Sequence, residues 1–225
     1  MSTVLSTMDS LATLIPQSLR LRSGKVFYSG RRAFTSPSQL YILGVNPGGA
    51  PEDHDTETVG AHTAAVLSSY PEDWSAYRDE SWRGLPPGSY GMAPRVLHLL
   101  AGLGLNAGDV PCSNLVFARS SREADIGDEM LSLANQCWAF HAHAIERLAP
   151  RVVLCFGKTA GNYVRRQVGA NTLTAEFIEQ NNRRWRSQVF ASSTGLKVVV
   201  ATHPSIADWC AAATDPTPLV REALK

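Results

Sequence analysis

The chain has 225 residues, room for one large α/β domain with a sizeable core, and its 44% hydrophobic and 18% charged residues are those of an ordinary soluble globular protein. A net charge of +1 excludes a bulk electrostatic pull toward nucleic acid, so a nucleic-acid binder of this composition has to gather positive charge on one face. No apolar run is long enough to cross a bilayer, and the first basic residue is Arg20, so a cytoplasmic protein is expected.

Residues 3–22 carry Leu5, Met8, Leu11, Leu14, Ile15 and Leu19 at near-helical spacing, which predicts an amphipathic helix stopped by Ser23-Gly24. Lys25-Val26-Phe27-Tyr28 reads as a short edge strand, and Arg31-Arg32 as solvated surface. Tyr41 to Val45 is apolar and β-prone, as in a strand covered on both faces. Pro47 ends that strand, and Gly48-Gly49 allow a close backbone approach.

A long polar passage follows, to about Pro87, holding a helix over Thr56–Tyr70 and the aromatics Trp74, Tyr77 and Trp82. It is either a functional loop or a flap whose aromatics pack on the core. His54 with Asp53 and Asp55 lacks a second histidine at ligand spacing, so no metal site is expected. Val96 to Leu103 predicts a buried helix ending near Gly102, and Val110 to Phe117 a core strand containing Asn114. Asp128 to Leu148 predicts a long helix with Met130, Leu133, Ala134, Cys137, Trp138, His141, Ile145 and Leu148 inward, where His141 is structural.

Arg151 to Gly157 is a buried strand, and Lys158-Thr159-Ala160 opens a helix. Gly157-Lys158-Thr159 lacks the upstream glycine of a phosphate loop, which excludes a nucleoside triphosphatase. Asn181-Asn182-Arg183-Arg184-Trp185-Arg186 is either a solvated loop or a phosphate- and base-contacting cluster. Lys197 to Ala201 is the last strand, and Pro218 to Leu224 a short helix. Cys112, Cys137, Cys155 and Cys210 form no Cys-x-x-Cys pair and read as free thiols of a reducing compartment.

Four buried parallel strands beginning near Tyr41, Cys112, Arg151 and Lys197 predict a three-layer α/β/α domain. One domain spans 1–225: a helix and possible edge strand in 1–39, a core in 40–210 and a tail in 211–225. Parallel strands bring Asn46, after the first strand, and His203, after the last, to one edge of the sheet.

Gly44-Val45-Asn46-Pro47-Gly48 resembles the first motif of the uracil-DNA glycosylase superfamily, and His203-Pro204-Ser205 its second. Ser113-Asn114-Leu115 is similar to the base-reading strand between them, and Arg151 to Gly157 with Lys158-Thr159-Ala160 to the third core strand and its turn. The resemblance covers residues 40–210, and Asn-Pro-Gly is similar to the mismatch-specific and single-strand-selective branches. It implies a monofunctional glycosylase that cuts the N-glycosidic bond of a flipped uracil or 5-substituted pyrimidine and leaves an abasic site.

In that reading Asn46 holds the water and His203 donates a hydrogen bond to the leaving base. Gly44, Val45, Pro47, Gly48, Tyr90 and Asn114 line the base pocket. Ser205, Ile206, Trp209, Arg119, Lys158, Arg183, Arg184, Trp185 and Arg186 contact DNA, with Ile206 to Trp209 as the wedge. The implied partner is single- or double-stranded DNA, the protein acts as a monomer, and no metal or cofactor is needed. Some branches carry an iron–sulfur cluster, which the cysteine spacing here does not support. A non-catalytic binder of modified nucleic acid is the alternative; a small-molecule hydrolase is disfavoured by the missing Gly-x-Ser-x-Gly elbow.

Overall fold

In the computed structural model, which describes residues 6–35 and 37–225, Leu40–Gly44 (β1) is buried at every position. Cys112–Asn114 (β2) runs parallel to it on one side and Val152–Phe156 (β3) on the other. Lys197–Ala201 (β6) lies parallel beyond β3. These are the expected parallel strands, although β2 has only three residues.

The sheet has six strands, not four. Thr172–Ile178 (β4) and Arg186–Ala191 (β5) form an antiparallel hairpin that extends the β6 edge, giving the order β2-β1-β3-β6-β5-β4. The hairpin lacks an apolar run because β4 is an outer strand, with Thr172, Leu173, Thr174 and Glu176 exposed. An edge strand solvated on one side needs no such run, and charge on it blocks edge-to-edge pairing.

Seven helices are described. The first covers only Thr7–Thr13 (α1), because Pro16 cannot donate into a continuing helix. Gln17–Leu19 then forms a 3-10 turn, so Ile15 and Leu19 still reach the core. Residues 3–5 of the expected helix lie outside the described residues. Val59–Ser68 (α2) starts at Thr58, whose hydroxyl accepts from the Ala61 N–H. Ala76–Asp79 (α3) and Ala93–Gly102 (α4) follow, then Met130–Leu148 (α5), Lys158–Gln167 (α6) and Thr217–Ala223 (α7). Among the described residues no helix is long and apolar enough to cross a membrane.

Lys25 to Tyr28 makes isolated bridges rather than a strand: Phe27 pairs with Ser113, and the Tyr28 N–H donates to the Cys112 carbonyl at 2.9 Å. His141 is buried; its Nε2–H donates to the Leu115 carbonyl and its Nδ1 accepts from the Tyr41 hydroxyl at 2.9 Å. All four cysteines are free, but Cys210 is exposed.

Candidate functional site

Register aligns the strand ends: Gly44 pairs with Asn114, and Phe156 with Ala201. The loops after β1, β3 and β6 and the end of β2 therefore open into one cleft of about 1800 Å³, lined by Asn46, Asn114, Gly157 and His203 among others. Strand ends of an open α/β sheet are where such folds bind ligands.

Asn46 is held by both protons of its amide. Nδ2 donates to the Pro47 carbonyl at 2.9 Å and to Ser120 Oγ at 2.8 Å, and Ser120 Oγ passes its own proton to the Arg122 carbonyl. Oδ1 is thereby left as an acceptor that can orient a water. As a neutral amide it cannot take that water's proton.

Asn114 is only 3% exposed, and among the described residues its Nδ2 has no hydrogen-bond partner. The Tyr28 hydroxyl lies near this amide, but no hydrogen bond forms between them. An unpaired buried donor costs about 1–3 kcal/mol, which a ligand carbonyl in the cleft would recover. Gly44 is required at the paired position, because a Cβ there would collide with Asn114 Oδ1.

His203 sits at the end of β6, with its ring edge-on to Phe156 at 6.1 Å and against Gly157. Gly157 adopts φ +86°, a conformation that favours glycine. The Ser205 N–H donates to His203 Nδ1 at 3.1 Å. Nδ1 therefore carries no proton, and the neutral ring holds it on Nε2 as a donor. Burial pushes the His203 pKa below its ordinary value, against a smaller opposite effect of Glu123. Arg95 fixes the loop by donating to the Pro204 carbonyl.

The chain matches no known family model and no curated protein sequence.

Several expected site residues line this cleft: Gly44, Val45, Gly48, Tyr90, Lys158, Arg184, Trp185, Arg186, Ser205 and Ile206. Others are displaced. Pro47 is buried, and its carbonyl serves Asn46 and the Ser120 N–H. Trp209 is no wedge. It is fully buried, 5.4 Å from Phe156, with its indole N–H on the Thr202 carbonyl. Exposing such a side chain costs about 2–3 kcal/mol, more than a marginal contact returns.

Arg119 lines the cleft but is only 6% exposed, and its guanidinium is already engaged within the protein. It pairs with Glu57 and donates to the Gly48 carbonyl, which braces the loop carrying Asn46. In the arginine cluster, Arg186 pairs with Glu176 at 2.7 Å and Arg183 with Glu179 at 3.4 Å, so two of the three cations are already matched across the hairpin.

One cluster in the cleft was not anticipated. Lys25 Nζ lies 2.7 Å from Glu80 and 3.1 Å from Glu57, and the Trp82 indole N–H donates to Glu80 at 2.8 Å. Burial alone would lower the Lys25 pKa, but Glu80, with Tyr28 and Glu57, outweighs it and the pKa is raised. A lysine held protonated is not a nucleophile. The partners are 55 and 32 positions apart, so no local pattern announces them.

Proposed function

We propose that the chain is a monofunctional DNA glycosylase of the uracil-DNA glycosylase type, with the three-layer arrangement of that superfamily, acting on uracil or 5-substituted pyrimidines flipped out of DNA. The observation that carries this reading is the buried, unpartnered Nδ2 of Asn114 in the same cleft as Asn46 and His203. A pyrimidine edge offers a carbonyl to that donor.

In the reaction the bond between C1′ and the base nitrogen breaks, and its electron pair leaves with the base. The His203 Nε2–H donates to the oxygen on which that charge develops, and Asn46 Oδ1 orients the water that adds to C1′. The added water gives up one proton to bulk solvent and the departing base anion takes one up, leaving a neutral base and a hydroxyl on C1′. Lys25 is held protonated between Glu80 and Glu57 and is no Schiff-base nucleophile, and Lys158 has no role in bond cleavage in this reading, so the strand is expected to stay intact after base release.

The room beside Gly48 supports a wide substrate range. A Cβ at this exposed residue would meet nothing within 4 Å, so nothing at that position excludes a 5-substituent. A binder without turnover is the second reading, favoured by the inability of the Asn46 amide to accept a proton. Abasic-site formation on oligonucleotides carrying uracil, thymine or 5-substituted pyrimidines separates them: alkali-labile sites support the glycosylase, and binding without them supports the binder.

A further inference from the structure

The turn between β4 and β5 builds a feature that base release does not use. The Arg183 guanidinium covers one face of the Trp185 indole, 4.1 Å from the ring centroid. The same guanidinium donates to the Ile206 carbonyl at 2.7 Å and pairs with the buried Glu179. Arg183 thus ties the hairpin turn to the loop that carries His203. Two apolar side chains are left standing on the cleft, Trp185 at 38% exposure and Ile206 at 56%. Beside them Arg184 and Lys158 line the same cleft, and among the described residues neither has a carboxylate within 4.0 Å.

We propose that the β4–β5 hairpin is a nucleic-acid contact element, in which Trp185 stacks on the DNA base next to the extruded nucleotide in the same strand. An indole stiffened by a guanidinium on one face offers its remaining surface at little entropic cost, and every base has a π-face to match it. The unmatched Arg184 and Lys158 supply the charge complementarity to the phosphates on either side of that base. A patch meant for a second protein copy has no need of unpaired cations on a cleft floored by Asn114 and His203. The choice of DNA as occupant rests on the glycosylase reading, but binding is measured apart from base release.

The test uses a short single-stranded oligonucleotide with a tetrahydrofuran abasic analogue, which holds no base to release. Trp185→Ala should raise Kd about five- to hundredfold while leaving the slope of log K against log salt unchanged. Arg184→Ala should flatten that slope, and Trp185→Phe should keep most of the affinity. Quenching of tryptophan emission by the oligonucleotide should fall in Trp185→Phe, which reports the stack without a destabilising change, and Trp82, which lines the same cleft, accounts for any remainder. Unchanged affinity in Trp185→Ala, quenching undiminished in Trp185→Phe, or no DNA binding by the parent protein would overturn the proposal. So would a parent dimer that Trp185→Ala turns into a monomer. Trp185-dependent DNA binding with no base released from any oligonucleotide would leave this inference standing and remove the glycosylase reading.

Discussion

His203 Nδ1 accepts the backbone N–H of Ser205, its neighbour two residues on, at 3.1 Å, with the Ser205 hydroxyl 2.8 Å away. The ring is thereby fixed in the tautomer that carries its proton on Nε2. Protonation of Nδ1 breaks this contact and turns the loop's own N–H against the ring.

The pH dependence follows. Burial favours the neutral ring and places the His203 pKa below 6.5. Single-turnover base release should be flat at neutral pH and fall only as acid drops below that ordinary value. An acidic limb centred at or above 6.5 would contradict the assignment. Ser205→Ala keeps the backbone N–H and should slow release only about two- to tenfold.

The open space at Gly48 gives a steric test. The residue is exposed and has no positive φ, so a tyrosine fits there without backbone strain. Gly48→Tyr should reduce release of bulky 5-substituted bases at least about tenfold and spare uracil. Equal loss on both, in a variant that melts like the parent, would mean that the 5-position does not lie over Gly48.

Lys25 gives a test of a different kind. Its ammonium is held between Glu80 and Glu57, so borohydride should trap no protein–DNA adduct through Lys25. Lys25→Met leaves two carboxylates facing each other in a half-buried cluster and should destabilise the fold by about 3 kcal/mol or more in denaturant melts. An adduct in the parent that disappears in Lys25→Met would instead make this lysine a nucleophile.

Two buried histidines set the acid stability. Burial lowers the His141 pKa to about 4 and that of His62 to about 3, whereas the unfolded chain takes up these protons near 6.5. The unfolded state binds more protons below 6.5, so stability is full above that pH and falls as pH drops toward 4. Tm measured at pH 7 and 4.5 should show the drop. Among the described residues His62 has no hydrogen-bond partner on either ring nitrogen, so His62→Leu should make the acid decline shallower. An unchanged decline would remove His62 from the account.

The sequence was legible where burial is two-sided. β1, β3 and β6 are apolar at nearly every position because they are covered on both faces, and such runs stand out. Asn46 and His203 were legible as partners because each follows such a strand. β4 and β5 were not, since an exposed strand containing Thr172, Thr174 and Glu176 carries no apolar run. Trp209 reads as a wedge from its place after His203, and only its packing on Phe156 buries it. The Lys25, Glu57 and Glu80 cluster and the brace from Arg119 to Gly48 join distant positions, and only the fold brings them together.

The central claim is that the Asn46, Asn114 and His203 cleft releases a pyrimidine. Mass detection of free base from uracil- and 5-substituted oligonucleotides under single-turnover conditions tests it most directly. The parent should release base and leave an intact abasic strand, while His203→Ala and Asn46→Ala lose about a hundredfold or more in rate but still bind. No free base from any oligonucleotide that the parent binds, or undiminished release in His203→Ala, would contradict it.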